Sequence, residues 1–185
     1  MLLRYIFTVL LMLHGWSYTP TIVADEENTN VDLVKAVFIY NIAKFTRWPE
    51  SSLSDSSIKL NICVLGKDKV SDSLTRLNGR SIQGRTLNIL FRKDGNVAPG
   101  VCQVLYIAGN LEYDSGTLLT SLTDKHVLTI SEIPGFSQHG GMVELKQSED
   151  KIRLIINLRV TKKAGLSMSA RLLNLASVID PGDGS

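Results

Sequence analysis

Residues 58–66 read IKLNICVLG, an apolar run that ends in glycine. Apolar side chains occupy both alternating sets of positions, so both faces of a strand formed here would be buried. Such a strand is typical of the centre of a sheet that is covered on both sides. Three more runs predict strands of the same sheet: TLNILFR at 86–92, VCQVLYIAG at 101–109 and HVLTISE at 126–132.

Helical segments are predicted before and between these strands. The first begins near Thr29 or Asn30, either of which can cap it, and ends before Pro49. Its apolar stripe is predicted at Val34, Phe38, Ile42 and Phe45. Two shorter helices follow, one capped by Ser71 and one within 113–122. The alternation predicts an α/β fold with a mixed β-sheet flanked by helices.

The C-terminal part of the chain departs from this alternation. GMVELKQ at 141–147 and KIRLIINLRV at 151–160 predict a hairpin. Residues 161–179 predict a final helix whose apolar side carries Leu166, Leu172, Leu173, Leu175 and Ile179. Asn157 interrupts the second hairpin strand, and a buried asparagine needs hydrogen-bond partners. We expect Asn157 to tie its strand to a neighbouring loop, with contact to a ligand as the alternative. Gly140-Gly141 predicts a tight turn with positive φ.

The N-terminus predicts a cleavable signal peptide. Arg4 precedes the apolar run YIFTVLLML at 5–13, and a plausible cut follows Ala24. The run is too short to cross the hydrocarbon core as a helix, although an uncleaved anchor is the alternative. The expected organisation is a signal peptide (1–24), a flexible leading segment (25–30), one α/β domain (31–179) and a disordered tail (180–185). The expected location is the periplasm.

Cys63 and Cys102 are the only cysteines, 39 residues apart. Because an exported chain meets an oxidising environment, we expect them to form a disulfide with Cα atoms about 4.4–6.8 Å apart. Two free buried thiols are the alternative. Neither the CxxC motif nor a metal-binding cysteine spacing is present.

Motifs of enzyme chemistry are absent from the sequence. It has no GxSxG elbow, SxxK pair or phosphate-binding loop, and His126 and His139 lack the spacing of metal ligands. The carboxylates of Asp124, Glu132 and Glu144 could meet in space, but solvated charges are the simpler interpretation. We therefore predict no catalytic residue, metal or cofactor. A net charge of +2 with scattered basic residues argues against nucleic-acid binding.

Several segments together resemble the YfiR family of periplasmic regulators, from about Val31 to Ala176. They include KAVFIYNIAKFTRWP (35–49), LNGRSIQGRTLNI (77–89), HVLTISEIPGFSQHGGMVEL (126–145), KIRLIINL (151–158) and AGLSMSARLLNLA (164–176). The resemblance implies a repressor that binds the periplasmic part of an inner-membrane diguanylate cyclase, or another membrane sensor. Cyclic di-GMP and biofilm formation would then fall. It also implies an outer-membrane lipoprotein that sequesters the repressor, and a possible homodimer.

The binding surface of such a repressor should be an exposed apolar patch with a polar rim. We expect the partner surface near Trp48, Phe136, His139 and Met142, although core packing is the more natural role for Trp48. The best-known member of the family has a second cysteine pair near the region that matches Ser137 to Glu144. This chain lacks that pair, and Cys63–Cys102 matches the one associated with structural integrity.

Two other classes of function compete with a regulatory binding protein. A small-molecule sensor would bind its ligand beyond the carboxyl ends of the strands, near Gly66, Lys67 and Ser131. A hydrolase would need a nucleophile and a base that converge in one pocket.

Overall fold

The computed structural model describes residues 24–53, 59–93, 100–111, 115–148 and 151–180. Within these ranges a mixed sheet has helices on both faces, which confirms the predicted α/β class. The predicted signal peptide lies outside the described residues apart from Ala24, and the predicted tail lies outside them apart from Asp180. Domain boundaries based on those segments stay predictions.

The described helices are α1 (Ala24–Lys44), α2 (Lys69–Thr75), α3 (Ser115–Ser121), α4 (Leu158–Lys163) and α5 (Ala170–Leu173). The described strands are β1 (Thr46–Arg47), β2 (Leu60–Leu65), β3 (Ser81–Ile82), β4 (Arg85–Arg92), β5 (Val104–Ile107), β6 (Leu128–Ser131), β7 (Val143–Ser148), β8 (Lys151–Asn157), β9 (Ser167–Met168) and β10 (Ala176–Ile179). A 3₁₀ turn spans Glu50–Ser52.

The main sheet has the order β10-β8-β7-β6-β5-β2-β4-β3. Strands β4, β2, β5, β6 and β7 run parallel to their neighbours within this set. Strand β8 runs antiparallel to β7, which confirms the predicted hairpin, and β10 lies parallel to β8 at one edge. Strands β1 and β9 form a separate antiparallel pair.

The chain changes direction across the sheet at β2. From β2 it passes through α2 to β4 on one side, and it then returns to β5 on the other side of β2. Helices α1 and α2 pack on one face of the sheet, and α3 packs on the opposite face. Open α/β sheets form a crevice at such a switch point, beyond the carboxyl ends of the strands.

Helix α1 differs from the prediction in its start and in its buried face. It begins at Ala24 and so runs through residues 25–30. Its buried face carries Ala36, Ile39, Ile42 and Ala43, whereas the predicted stripe residue Val34 is 41% exposed. Of the four predicted stripe positions only Ile42 is fully buried, because the helix is rotated about its axis relative to the prediction.

The cap of α2 also differs from the prediction. Asp68, rather than Ser71, is the N-cap, and its side chain accepts a hydrogen bond from the Ser71 amide. The Ser71 side chain accepts in turn from the Asp68 amide, which completes a capping box.

The predicted final helix over 161–179 is wrong. The segment instead forms the end of α4, then β9, α5 and β10. Gly165 has a φ of +73°, which ends the first short helix, and Ser169 caps the next one. Leu175 is 74% exposed while Leu172 is buried, so the leucines of this segment do not form a single buried stripe.

The predicted disulfide is present. Cys63 in β2 is bonded to Cys102, their Cα atoms are 5.7 Å apart, and both residues are buried on the face covered by α3. The link joins β2 to the segment that leads into its neighbour β5. The disulfide therefore fixes the two strands on either side of the switch point.

Candidate functional site

Four side chains from four parts of the chain meet at the switch point. Lys35 Nζ lies 2.6 Å from Glu132 Oε2. The hydroxyl oxygen of Tyr106 lies 2.9 Å from Asp68 Oδ2 and 3.0 Å from Glu132 Oε1. We call Lys35, Asp68, Tyr106 and Glu132 the switch-point cluster.

The fold explains why these four residues converge. Asp68 follows β2 as the N-cap of α2, and Glu132 directly follows β6. Tyr106 lies in β5 between those two strands and is fully buried on the face covered by α1. Lys35 lies next to Ala36 in α1 and is itself buried. The cluster therefore connects the first helix to the carboxyl ends of three parallel strands.

The Tyr106 hydroxyl contacts two carboxylates but carries a single hydrogen. It can donate that hydrogen fully to Asp68 or to Glu132, but not to both. Burial, together with the nearby charges of Glu132 and Asp68, raises the pKa of Tyr106 far above its usual range. The phenol therefore stays protonated at physiological pH and acts only as a hydrogen-bond donor to these carboxylates.

A cleft of about 370 Å³ opens beside the cluster, lined by Asp32, Asp68, Lys69, Gly109, Asn110 and Glu132 among others. Several of its polar groups are hydrogen-bonded within the protein. Asp68 Oδ2 accepts from the Gly109 amide at 3.1 Å, and Asn110 Nδ2 donates to the Lys67 carbonyl at 3.0 Å. These contacts hold together the loops that follow β2 and β5.

Two carboxylates at the cluster lie beside the ammonium of Lys35. In the parts of the chain that the structure describes, no group of three His, Cys, Asp or Glu side chains could hold a metal ion. Lys35 already occupies the space between carboxylates, because its Nζ also lies 3.9 Å from Asp32 Oδ1.

The three residues predicted to bind a small molecule do lie near this edge, but two of them serve the fold. Gly66 has a φ of +87°, and a Cβ there would lie 2.9 Å from the Cβ of Ala108. The Ser131 hydroxyl donates to the Ile107 carbonyl and accepts from the Ile133 amide. The side chain of Lys67 is exposed. Of the three, Lys67 alone is placed to meet a ligand.

Three of the four residues predicted at the partner surface lie in the core. Trp48, Phe136 and Met142 are buried, and Trp48 Nε1 donates to the Gln103 carbonyl at 3.3 Å. These three side chains belong to the apolar packing around the sheet. Only His139 is exposed and accessible to a partner in this conformation.

Residues 132–142, which connect β6 to β7, are anchored by close packing and hydrogen bonds. A Cβ on Gly141 would lie 2.2 Å from the ring of Phe136, and Gly140 has the predicted positive φ, at +96°. Asn157 Nδ2 donates to the Ser137 carbonyl at 2.8 Å. This contact confirms that Asn157 ties its strand to a neighbouring loop.

The model of the YfiR/HmsC-like family (DUF4154) matches residues 32–177. The chain belongs to the YfiR/HmsC-like family. A search of curated proteins found no match. Membership fits a periplasmic regulator rather than a known class of enzyme. No helix in the described ranges is long and apolar enough to span a membrane.

The loop at 132–142 is also tied to β7 by a side-chain hydrogen bond. The Ser137 hydroxyl donates to Glu144 Oε2 at 3.0 Å. Both residues are buried. A hydrogen bond therefore joins the loop to β7 at this place.

Sequence reasoning named Glu132 but missed Lys35, Asp68 and Tyr106. One signal was available. Lys35 lies four residues before Ile39 and one before Ala36, so it shares the buried face of α1. A lysine within a buried stripe needs a partner, which points to an acidic residue elsewhere in the chain.

Proposed function

We propose that this chain is a periplasmic regulatory protein that represses an inner-membrane diguanylate cyclase by binding its periplasmic part. The observation that carries the proposal is the family match, which covers residues 32–177 and therefore almost the whole described domain. The consequence would be less cyclic di-GMP and less biofilm. The Cys63–Cys102 disulfide supports a location outside the cytoplasm, because such bonds persist in oxidising compartments.

The repressor would act by shifting a population. It binds the inactive conformation of the cyclase more tightly than the active one, and so favours the inactive state. Moving the cyclase from 99% active to 99% inactive needs about 5.5 kcal/mol of differential affinity. A rigid binding surface suits this task, because little of the interaction energy is then lost in ordering the repressor.

The loop at 132–142 is our proposed contact region. It presents the exposed His139, while Phe136 and Met142 hold it from below. The hydrogen bonds of Asn157 and Glu144 to Ser137 fix its position on the sheet. The outer-membrane lipoprotein that releases the cyclase, and a homodimer of the repressor, are further parts of the proposal.

The chemistry at the switch point supports binding rather than catalysis. Charged groups there are paired with one another, and Tyr106 stays protonated. The alternative function, small-molecule sensing with another membrane sensor, loses support at this edge because Gly66 and Ser131 serve the fold.

The test is deletion of the gene and measurement of cellular cyclic di-GMP by mass spectrometry. We expect the level to rise on deletion and to fall again when the full chain is supplied. A matched control supplies residues 25–185 without the predicted signal peptide (1–24). That version should stay in the cytoplasm and fail to restore repression, because its target lies on the other side of the membrane.

A second measurement identifies the partner. The full chain, tagged at its C-terminus and cross-linked in cells, should recover a membrane protein with a diguanylate cyclase domain. Unchanged cyclic di-GMP on deletion, together with no cyclase among the cross-linked proteins, would overturn the proposal.

A further inference from the structure

A second cavity, of about 300 Å³, lies on the other side of the sheet from the switch-point cluster. It is bounded by α3, the turn before β7 and α4. Its apolar lining is formed by Leu119, Leu122, Met142, Val160 and Ala164. It shares no lining residue with the switch-point cleft.

A buried hydroxyl lines this cavity. Thr129 is among the lining residues and is 1% exposed. Its Oγ1 accepts a hydrogen bond from the Met142 amide at 3.0 Å, and the described part of the chain shows no hydrogen bond that this hydroxyl donates. Its hydrogen is therefore available to an acceptor on a molecule that enters the cavity.

Three further polar groups line the same cavity. Lys163, at the end of α4, supplies a positive charge, and Asp124 supplies a carboxylate. His139 Nδ1 lies 2.7 Å from the Gly135 carbonyl, so in the neutral ring Nδ1 carries the hydrogen. Nε2 of His139 is then left as an acceptor. The cavity thus combines donors for an anion with acceptors for a hydroxyl.

We propose that this cavity binds a small aromatic carboxylate that carries a hydroxyl group. The ring would contact the apolar lining, and the carboxylate would accept from the Thr129 hydroxyl and the Lys163 ammonium. The ligand's hydroxyl would donate to His139 or Asp124. A volume of about 300 Å³ is at the lower end for ligand pockets and suits one ring. The inference goes beyond the proposed repression and does not depend on it.

The direct test is calorimetric titration of the purified chain with 4-hydroxybenzoate and, separately, with 4-hydroxybenzamide. The amide has nearly the same shape but no charge. We expect saturable binding of the carboxylate, at least about tenfold tighter than that of the amide, because hydrogen bonds to charged groups are the stronger kind. Equal affinity for the two probes, or no saturable binding of the carboxylate at millimolar concentration, would overturn the proposal.

Variants then test the residues. Lys163→Gln should weaken binding of 4-hydroxybenzoate by about tenfold, whereas Lys162→Gln should leave it unchanged, because Lys162 does not line the cavity. Thr129→Val should weaken binding to a similar extent, and Thr129→Ser, which keeps the hydroxyl, should not. Equal loss in the two lysine variants contradicts the site. If Thr129→Val does not fold in a thermal melt, the lysine pair decides.

Discussion

Lys35 Nζ in α1 lies 2.6 Å from Glu132 Oε2, although 97 residues separate the two in sequence. Their side chains are only 8% and 19% exposed. Both charges are thus largely withdrawn from water, and each depends on the other for compensation. This ion pair links α1 to the edge of the sheet at which the parallel strands end.

Removing one charge of the Lys35–Glu132 pair should therefore lower the free energy of unfolding more than removing both. We expect Lys35→Met to lower the free energy of unfolding by about 3 kcal/mol, because Glu132 keeps a partly buried charge without its ammonium. The double variant Lys35→Met/Glu132→Gln should recover part of that loss. Urea unfolding measures both.

Lys44→Met is the matched control for this prediction, because Lys44 is exposed at the end of the same helix. It should change stability by no more than about 0.5 kcal/mol. A double variant that loses at least as much stability as Lys35→Met alone would show that Lys35 and Glu132 do not stabilise each other.

The raised pKa of Tyr106 predicts a specific alkaline weakness. Above the ordinary tyrosine pKa of about 10, the unfolded chain loses this phenolic proton while the folded protein keeps it. The free energy of unfolding should then fall by up to about 1.4 kcal/mol per pH unit, and below pH 10 the group should have no such effect. Urea unfolding between pH 8 and 11 measures the slope.

Tyr106→Phe should make this alkaline slope shallower. Tyr40→Phe is the matched control, because in the described structure the Tyr40 hydroxyl donates to the Ser81 carbonyl and to no carboxylate. At neutral pH, Tyr106→Phe should also lower the free energy of unfolding by about 1–2 kcal/mol, because Asp68 and Glu132 lose the phenolic donor between them. Identical slopes in the two variants would contradict the assignment.

The disulfide should stabilise the domain, and in the folded protein it should be protected from reductant. Replacing both Cys63 and Cys102 by alanine should lower the free energy of unfolding by about 3–4 kcal/mol, because a 39-residue loop is no longer closed in the unfolded chain. Both cysteines are buried, so reductant should act only after unfolding. Rapid reduction of the native protein under mild conditions would contradict this.

Gly141 should tolerate no side chain. Gly141→Ala places a Cβ 2.2 Å from the Phe136 ring, and overpacking of this kind costs about 1–3 kcal/mol or more. Gly109→Ala is the control, since its nearest atom, Glu132 Cβ, would lie 3.4 Å away. Adding Phe136→Leu to the Gly141 variant should recover stability in thermal melts. A harmless Gly141→Ala would mean that the loop is loosely packed.

Much of the sheet could be predicted because buried strands have a simple pattern of apolar residues in the sequence. β2 and β5 are apolar on both faces and sit in the middle of the sheet, where water is excluded from each side. The β7–β8 hairpin was equally readable, since antiparallel neighbours need only a short link. These features depend on local pattern alone.

The C-terminal segment could not be read in the same way. Edge strand β10 is only partly buried, so its apolar residues follow neither a strand nor a helix period cleanly. Leucines at positions 166, 172 and 175 suggested one helix, but turn formation at Gly165 and capping at Ser169 cut it short. Tertiary packing chose between two weak local preferences.

The switch-point cluster was beyond prediction for a different reason. Asp68, Tyr106 and Glu132 each follow or lie in a different strand, and only the strand order brings them together. Sequence reasoning placed polar residues at the carboxyl edge but chose Gly66 and Ser131. Their side-chain roles depend on contacts with Ala108 and Ile107 that no spacing in the sequence reveals.

The long reach from Lys35 to Glu132 bears on how the chain is made. A ribosome that adds about 5–20 residues per second needs about 5–20 s to add the 97 residues from Ala36 to Glu132. Until those residues follow, α1 has no acidic partner for Lys35 and its apolar face has no complete sheet to cover. The helix is therefore made well before the surface on which it packs, and its apolar face is a segment for a chaperone to protect.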